Sequence, residues 1–530
     1  MSILNKTRKI HFIGIGGYGM SALALILIKK GYQVSGSDIR DTTLTASLAE
    51  AGALIKIGHQ AANIGSADLV VYSTAIDPVN PELAEAKQRG ILLWHRSELL
   101  AALLNNSFGI AVAGTHGKTT TTAMLALLLE AGGLDPTAVV GGVVPAFKSN
   151  ARLGSSAYLV AEADESDSSF TRYYPRLAIV AGVEPDHLEH YNNDYALLQQ
   201  AYADFLSHLP AEDGIAVLNA DDPALRLLGA ELNCRVVYYS ADQEEILPDV
   251  NVNGDNVHGD NGNVDLSRSA IADLEHRPAK KDAVMPTYKA CEKDGLSYPA
   301  AKPGRNASLA EYKAVNISLE PNRCRFDLAH RGEVIAPALT IGVPGLHNVS
   351  NATAAFAAAA CLGLDPAALT SALEQFTGVG RRFELIGEVN GITVIDDYAH
   401  HPTEIRATLK AARLSGRRVL CLFQPHRYSR TAALFEEFAS AFFYSDQLFL
   451  HAIYSAGETP LPGITADALA SRISQLNAAL TVTQNDDITA LEEAIAATAR
   501  PGDLIIAMGA GDITYSAPRI LNLLGVRHVL

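Results

Sequence analysis

Residues 111–122 read Ala-Val-Ala-Gly-Thr-His-Gly-Lys-Thr-Thr-Thr-Thr. The apolar run 110–113 ends in a glycine-bounded turn, 114–117, and then in Lys118, four threonines and a helix-like segment at 123–129. This order builds a phosphate cradle. Glycines let backbone N–H groups close on a polyphosphate, and a helix N-terminus adds a favourable dipole. Lys118 would bond the outer phosphates and Thr119 would hold Mg²⁺, with Gly114, Thr115, Gly117 and Thr120 around them. The strict Walker spacing puts four residues between its glycines, whereas Gly114 and Gly117 have two. The bland alternative is a glycine turn before a helix. Gly-Lys-Thr directly behind a strand argues against it.

A second glycine motif, Gly14-Ile-Gly16-Gly17-Tyr-Gly19, lies between a strand at 10–15 and a helix at 20–30, and Asp38 closes the next strand. NAD is the obvious ligand. The motif itself says only that a diphosphate can approach the backbone, and any nucleotide diphosphate satisfies it. Glu162-Ala-Asp164-Glu165-Ser-Asp167 follows the apolar strand 158–161, and Glu184-Pro-Asp186-His187 follows the strand 178–181. Clustered carboxylates repel one another unless a cation or basic ligand is present. Open α/β sheets bind ligands at their carboxyl edge, so both segments can converge on the phosphate loop. Oxygen ligands with one imidazole suit Mg²⁺ bridging nucleotide phosphates. A solvated acidic loop is the alternative.

Further along, Gly345-Leu-His-Asn348 opens an Ala-rich helix at 349–362, where Asn348 reads as an N-cap. Arg381 and Arg382 stand in a glycine-flanked hinge and can clamp an anion. Asp396-Asp-Tyr398-Ala-His400-His401-Pro-Thr-Glu404 and Gln424-Pro-His426-Arg427-Tyr-Ser-Arg430 each follow an apolar strand. Arg427 and Arg430 are spaced to clamp a carboxylate. His400 and His401 suggest zinc, but adjacent loop histidines seldom ligate one metal alone, and the sequence offers no further His-rich cluster.

The elements that must position these residues fall into three α/β runs. Residues 10–105 alternate β-like and α-like segments, residues 106–240 repeat the alternation, and residues 380–530 form a third such unit. The segment 243–312 breaks the pattern. It is rich in Asn, Asp, Gly, Lys and Pro, and reads as a polar surface insertion. A chain of 530 residues exceeds one core, so two to four domains are expected. The formal net charge of −16 disfavours nucleic acid as a partner. Five scattered cysteines (234, 291, 324, 361, 421) without Cys-x-x-Cys spacing point to a reducing cytosol without structural zinc. No stretch reaches the ~18 apolar residues of a membrane span, and the basic start before residues 10–15 runs too soon into a glycine motif to be a signal peptide.

Together these segments, with Pro344-Gly-Leu-His-Asn348, Gly380-Arg-Arg-Phe383 and Met508-Gly-Ala-Gly-Asp512, resemble the Mur ligase family of peptidoglycan synthesis, in the family's order over nearly the whole chain. The resemblance is strongest to the branch acting on UDP-N-acetylmuramate and L-alanine. It implies an α/β fold of three domains. These are a Rossmann-like UDP-sugar domain at 1–105, a central P-loop ATPase-like domain at 106–378 carrying the insertion, and a Rossmann-like amino-acid domain at 379–530. It implies ATP and Mg²⁺, a cytoplasmic setting, no membrane insertion, and a monomer or weak homodimer. The first glycine motif becomes a UDP-diphosphate site made by Gly14, Gly16, Gly17, Gly19 and Asp38. Glu162 or Glu165, with Thr119 and His187, would hold metal; Asn348 would read adenine; Arg381 or Arg382 would reach ATP phosphates. Tyr398, His400, His426, Arg427 and Arg430 would seat alanine, with His187 and His400 as alternative bases for its amine. One departure stands out: Ala181-Gly182 occupy a place where the family often has Thr-Asn, which would weaken a polar contact near the metal.

Three other readings compete. A sister ligase that adds a preformed tripeptide shares nearly every ATP-site residue. A nicotinamide dehydrogenase explains residues 14–19 and Asp38 but leaves Gly-Lys-Thr idle. A non-catalytic nucleotide-binding regulator has no use for intact acidic and His/Arg clusters.

Overall fold

Parallel strands buried on both faces read as unbroken apolar runs, and the runs behind each polar cluster are such strands. The computed structural model describes residues 7–166, 168–241 and 310–526. Most of the polar insertion at 243–312, and Asp167, therefore lie outside the described residues.

The first sheet contains β1 (Lys9–Ile13), β2 (Gln33–Asp38), β3 (Leu54–Ile57), β4 (Leu69–Tyr72) and β5 (Leu92–His95), all parallel, in the order β3-β2-β1-β4-β5. The order reverses at β1, so a crevice opens at its carboxyl end, where Gly14–Gly19 lie.

The second sheet is ten-stranded. It comprises β6 (Phe108–Ala113), β7 (Thr137–Val144), β8 (Ser149–Arg152), β9 (Tyr158–Glu162), β10 (Leu177–Val180), β11 (Ile215–Asn219), β12 (Arg235–Ser240), β13 (Tyr312–Glu320), β14 (Arg323–His330) and β15 (Glu333–Ile341). Their order is β15-β14-β13-β12-β11-β10-β6-β9-β7-β8, so β6 is the switch point and the phosphate loop follows it. Three of these strands, β13 to β15, add an antiparallel meander that the sequence reading did not anticipate. The first begins at Tyr312, inside the range assigned to the insertion; its parallel pairing Tyr239↔Tyr312 and Ser240↔Lys313 sets it directly beside β12.

The third sheet holds β16 (Glu384–Val389), β17 (Ile392–Asp397), β18 (Val419–Phe423), β19 (Gln447–His451), β20 (Thr481–Asn485) and β21 (Leu504–Met508), in the order β16-β17-β21-β18-β19-β20. Only the β16 edge is antiparallel. Three α/β layers thus carry their polar clusters at strand carboxyl ends, as the family resemblance implied.

The central core is tightest where the phosphate-loop helix Lys118–Ala131 packs on the Ala-rich helix Leu346–Cys361. Ala352, Ala354, Ala355, Ala357, Ala358 and Ala359 are fully buried there. Small side chains let the two helices approach closely enough for Thr121 Oγ1 to donate to Asn351 Oδ1 at 3.2 Å. Among the described residues no helix is long and apolar enough to cross a membrane.

Candidate active site at the phosphate loop

Gly117 is the N-cap of helix Lys118–Ala131 at φ +82°, and a Cβ there would stand 2.4 Å from Asn351 Oδ1. Both facts require glycine. Lys118 folds back over the loop. Its Nζ donates to Gly114 O at 2.8 Å, to Thr115 O at 3.3 Å and to both oxygens of Glu165 at 2.8 Å. Burial alone would depress the Lys118 ammonium, but Glu165, Asp164 and Glu162 overcome it and hold its pKa above the ordinary value. Thr119 Oγ1 donates to Glu162 Oε2 at 3.1 Å, and Gly141 N donates to the other oxygen. Burial raises the Glu162 and Glu165 carboxyls in turn. The Glu165 carboxylate is therefore not solvated: it is 1% exposed.

The loop after β10 locks against the phosphate loop. Thr115 N donates to Gly182 O at 2.9 Å, and Glu184 N donates to Thr115 Oγ1 at 2.8 Å. Those bonds come from backbone and from Thr115, so they survive the Ala181-Gly182 departure. Glu184 also accepts from Thr403 Oγ1 at 2.8 Å, which ties this loop to the third sheet.

That third-sheet contact is extensive. His116 Nδ1 lies 3.2 Å from Glu404 Oε1 and its Nε2 lies 3.5 Å from Glu184 Oε2. Burial would lower the His116 pKa, but the two carboxylates prevail and raise it to about 9. Arg430, 7% exposed, donates to Asp186 at 3.2 and 3.4 Å and to His187 Nε2 at 3.2 Å. Arg427, the N-cap of helix Tyr428–Ala433, reaches Glu189 at 3.3 Å and is a third exposed. Both arginines therefore bridge to the Glu184–Glu189 loop, but only Arg430 is desolvated. His400 Nδ1 donates to Tyr398 O at 2.9 Å, which leaves the lone pair on Nε2. Burial keeps the His400 pKa well below its ordinary value and brings that of His426 to about 3, with Arg430 and Arg427 adding to the latter. Both rings are neutral at pH 7. His400 and His426 stand 5.9 Å apart, and His426 stacks on Tyr454.

A cavity of about 230 Å³ opens between these parts. His116, Gly117, Thr119, Asn348, Arg382 and Glu404 are among its lining residues. Arg382 contacts Glu404 at 3.6 Å. Arg381 turns away: it binds Asp396 at 3.0 Å and Gly509 O at 2.7 Å, so of the two hinge arginines the cavity wall has Arg382. Asn348 is not a cap. Gly345 is the N-cap, and Asn348 sits in the first turn, with Nδ2 on Pro344 O and Oδ1 accepting from Asn351.

The first glycine turn closes on its own sheet. Gly14 N and Ile15 N donate to Ser37 O, and Gly16 N donates to Asp38 Oδ2 at 2.8 Å. A Cβ on Gly16 would stand 2.9 Å from that oxygen. Asp38 thus supports the turn. Beneath it lies a charged group the sequence did not reveal: Glu82, fully buried, accepts from Ser37 Oγ at 2.7 Å and Asn63 at 2.7 Å and contacts His11 at 3.0 Å. Burial would raise its carboxyl, but His11, Ser37 and Asn63 hold it down at about 2. Arg96, placed by β5, spans the first and second sheets through Asp164 at 3.0 Å.

Sequence reading named His347, Asp186 and Glu404 without roles and passed over Asn351 and Arg96. Only Asn351 had a local signal, standing three residues after Asn348 on one helix face.

Comparison with known proteins follows the same division. Residues 9–108 match the description "Mur ligase family, catalytic domain", residues 112–274 "Mur ligase middle domain", and residues 381–511 "Mur ligase, glutamate ligase domain". A UDP-N-acetylmuramate–L-alanine ligase of Symbiobacterium thermophilum is 43% identical, covering 99% of this chain and 96% of its own. Among solved structures, a UDP-N-acetylmuramate–alanine ligase of Thermotoga maritima aligns with TM-score 0.71 and 27% identity over 97% of this chain and 98% of its own. A murein peptide ligase of Psychrobacter arcticus aligns with TM-score 0.65 and 25% identity over 98% and 99%.

Proposed function

This chain belongs to the Mur ligase family, and we propose that it carries out its ligation at the junction between the phosphate loop and the third sheet. The enzyme is an ATP-dependent ligase of peptidoglycan synthesis that joins L-alanine to the carboxylate of UDP-N-acetylmuramate. We place that reaction in the cytoplasm, where ATP is available. The observation that carries the site assignment is the meeting of Lys118 and Arg430 on either side of the Glu162–Glu165 and Glu184–His187 segments. A phosphoryl site and an amine site thereby share one junction.

A carboxylate is a poor electrophile, so it must be activated. ATP's γ-phosphoryl moves onto the muramoyl carboxylate, ADP leaves, and the alanine amine displaces phosphate from the acyl phosphate. Phosphoryl transfer needs mainly positioning and charge neutralisation. Lys118 supplies one cation from the phosphate loop and Arg382 another from the cavity wall. Asn348, on the wall of the same cavity, reads the adenine. Thr119 and Glu162 are adjacent oxygen donors, and a buried carboxylate here suits a hard cation, so they fit Mg²⁺; Glu165 and His187 are the further ligands. Bound there, Mg²⁺ neutralises phosphate charge. His187 Nε2 is occupied by Arg430, while His400 Nε2 has its lone pair open. We therefore assign His400 as the base that takes the amine proton, and Arg430 with Arg427 and Tyr398 as the seat of alanine. The diphosphate of the UDP-sugar rests on the turn at Gly14, Gly16, Gly17 and Gly19. Acyl phosphates hydrolyse, so the third sheet must close over the site.

The test is phosphate release from ATP in the presence of UDP-N-acetylmuramate. Release that depends on L-alanine is expected. Release with a tripeptide but not with L-alanine moves the chain to the sister activity. Hydride transfer to NAD without any phosphate release overturns the ligase reading altogether.

A further inference from the structure

We propose that His116, Glu184 and His401 form a binding site for a divalent transition metal of the zinc class, made of residues other than those assigned to Mg²⁺ and joining the phosphate loop to the third sheet. The three side chains come from the loops after β6, β10 and β17. One ligating atom from each lies within 4.8 Å of those of the other two.

The donors are prepared for a metal in ways their sequence positions do not show. His116 uses Nδ1 on Glu404 Oε1 at 3.2 Å, and its Nε2 is buried without a hydrogen-bond partner. A carboxylate behind an imidazole is the arrangement that orients metal-binding histidines. His401 is 5% exposed, and its Nε2 is likewise buried and unpartnered. The two rings lie 4.7 Å apart, tilted by 43°. Glu184 is steadied by Thr403 Oγ1 on the oxygen that faces His116. Two imidazoles and a carboxylate make the protein ligand set of a four-coordinate zinc site, whose fourth ligand is a water. A pair of imidazole donors favours zinc, cobalt, nickel or copper over magnesium, which prefers a shell mostly of oxygen.

Three adjustments are needed. Glu184 and Glu404 hold His116 protonated, so its Nε2 must release a proton as the metal binds. Tetrahedral bonds of about 2 Å bring ligating atoms to roughly 3.4 Å from one another, so the side chains must converge by rotation. His401 must also move its proton from Nε2 to Nδ1, which gives up the 3.3 Å bond that Nδ1 accepts from Thr403 N at the start of helix Pro402–Arg413. A metal here would pin the third sheet to the phosphate loop.

The experiment uses the full chain, stripped with chelator and titrated with Co²⁺ in saturating Mg²⁺ without nucleotide. One equivalent should produce the visible absorption of low-coordinate cobalt, and Zn²⁺ should bleach it. His401→Asn keeps a good helix cap while removing the imidazole. It should weaken cobalt binding at least tenfold, as should Glu184→Gln, while His187→Ala leaves the band intact. Zn²⁺ should raise the melting temperature of the wild type but not of His401→Asn. The proposal fails if no band forms, if Mg²⁺ abolishes it, or if His187→Ala removes it while His401→Asn does not. None of these readouts needs substrate, so the ligase reading stands or falls separately.

Discussion

The two glycine motifs look alike in sequence and differ in what surrounds them. The turn at Gly14–Gly19 is held mainly by its own neighbours, with Ser37 and Asp38 taking its N–H groups from the adjacent strand and a single bond from Asn150 of the second sheet to Tyr18 O. The phosphate loop at Gly114–Lys118 is held from afar. Gly182, Asn351, Glu165 and Glu404 reach it from four other segments, one of them 288 residues away. The first region is a finished backbone surface for a diphosphate. The second is a charged junction whose cations are neutralised in place and become available only as ligands displace their partners. A motif that completes itself locally binds; one completed by distant chain can also couple binding to movement.

That contrast can be broken at its strongest point. Lys118→Ala should abolish ligation and leave UDP-sugar binding nearly intact, at a cost of about 3 kcal/mol or more in the barrier. Turnover with calorimetry of UDP-N-acetylmuramate checks both halves. A mutant with most of its turnover would remove the phosphate cradle from the mechanism.

Next in size is Arg430→Ala. It deletes one partner of a buried pair and leaves Asp186 without its cation, so KM for L-alanine should rise by far more than fivefold and by more than that for ATP. Arg427→Ala, which removes a pair with Glu189 that is about a third exposed, should raise KM for L-alanine by less than Arg430→Ala and cost only ~0–1 kcal/mol of stability. Equal effects from the two arginines would show that burial does not set their importance.

Gly16→Val tests the self-contained turn. Its Cβ would press on Asp38 and Thr45, so KM for the UDP-sugar should rise while ATP affinity is unchanged. A matching loss of ATP affinity would mean that the two motifs are mechanically linked.

The smallest effect concerns Glu82. Its folded pKa is about 2, below its ordinary value of 4.5. The stability it confers is therefore complete above pH 4.5 and fades as pH falls toward 2. Urea midpoints between pH 6 and 3 should drop more steeply for wild type than for Glu82→Gln, using about half-unit steps. Parallel curves would rule out this coupling.

The fold was legible because parallel strands announce themselves as apolar runs punctuated by glycine, as at 110–113 and 419–423. The meander β13–β15 was not, since its alternating, partly exposed residues at 312–341 adjoin a polar segment that masks the transition. Within the site, Lys118, Thr119 and Glu162 could be read from strand-end position alone. His116 could not, because its partners Glu184 and Glu404 lie far along the chain and no local spacing encodes them. The bland reading of Asn348 as a cap fails because the helix begins earlier, at Leu346, behind a glycine that caps it. Zinc was set aside at His400 and His401 because each was judged with its sequence neighbours; the fold supplies His116 as the second imidazole.

The side-by-side pairing of Ser240 with Lys313 has a practical reading. Chain leaving β12 and chain entering β13 emerge at adjacent points of one sheet, so a short bridge can span them. Closure entropy grows only slowly with length. A short Gly/Ser bridge in place of residues 245–311, or a fluorescent reporter domain spliced there, is expected to leave both strands in register, with kcat and melting temperature as the measurements that check it.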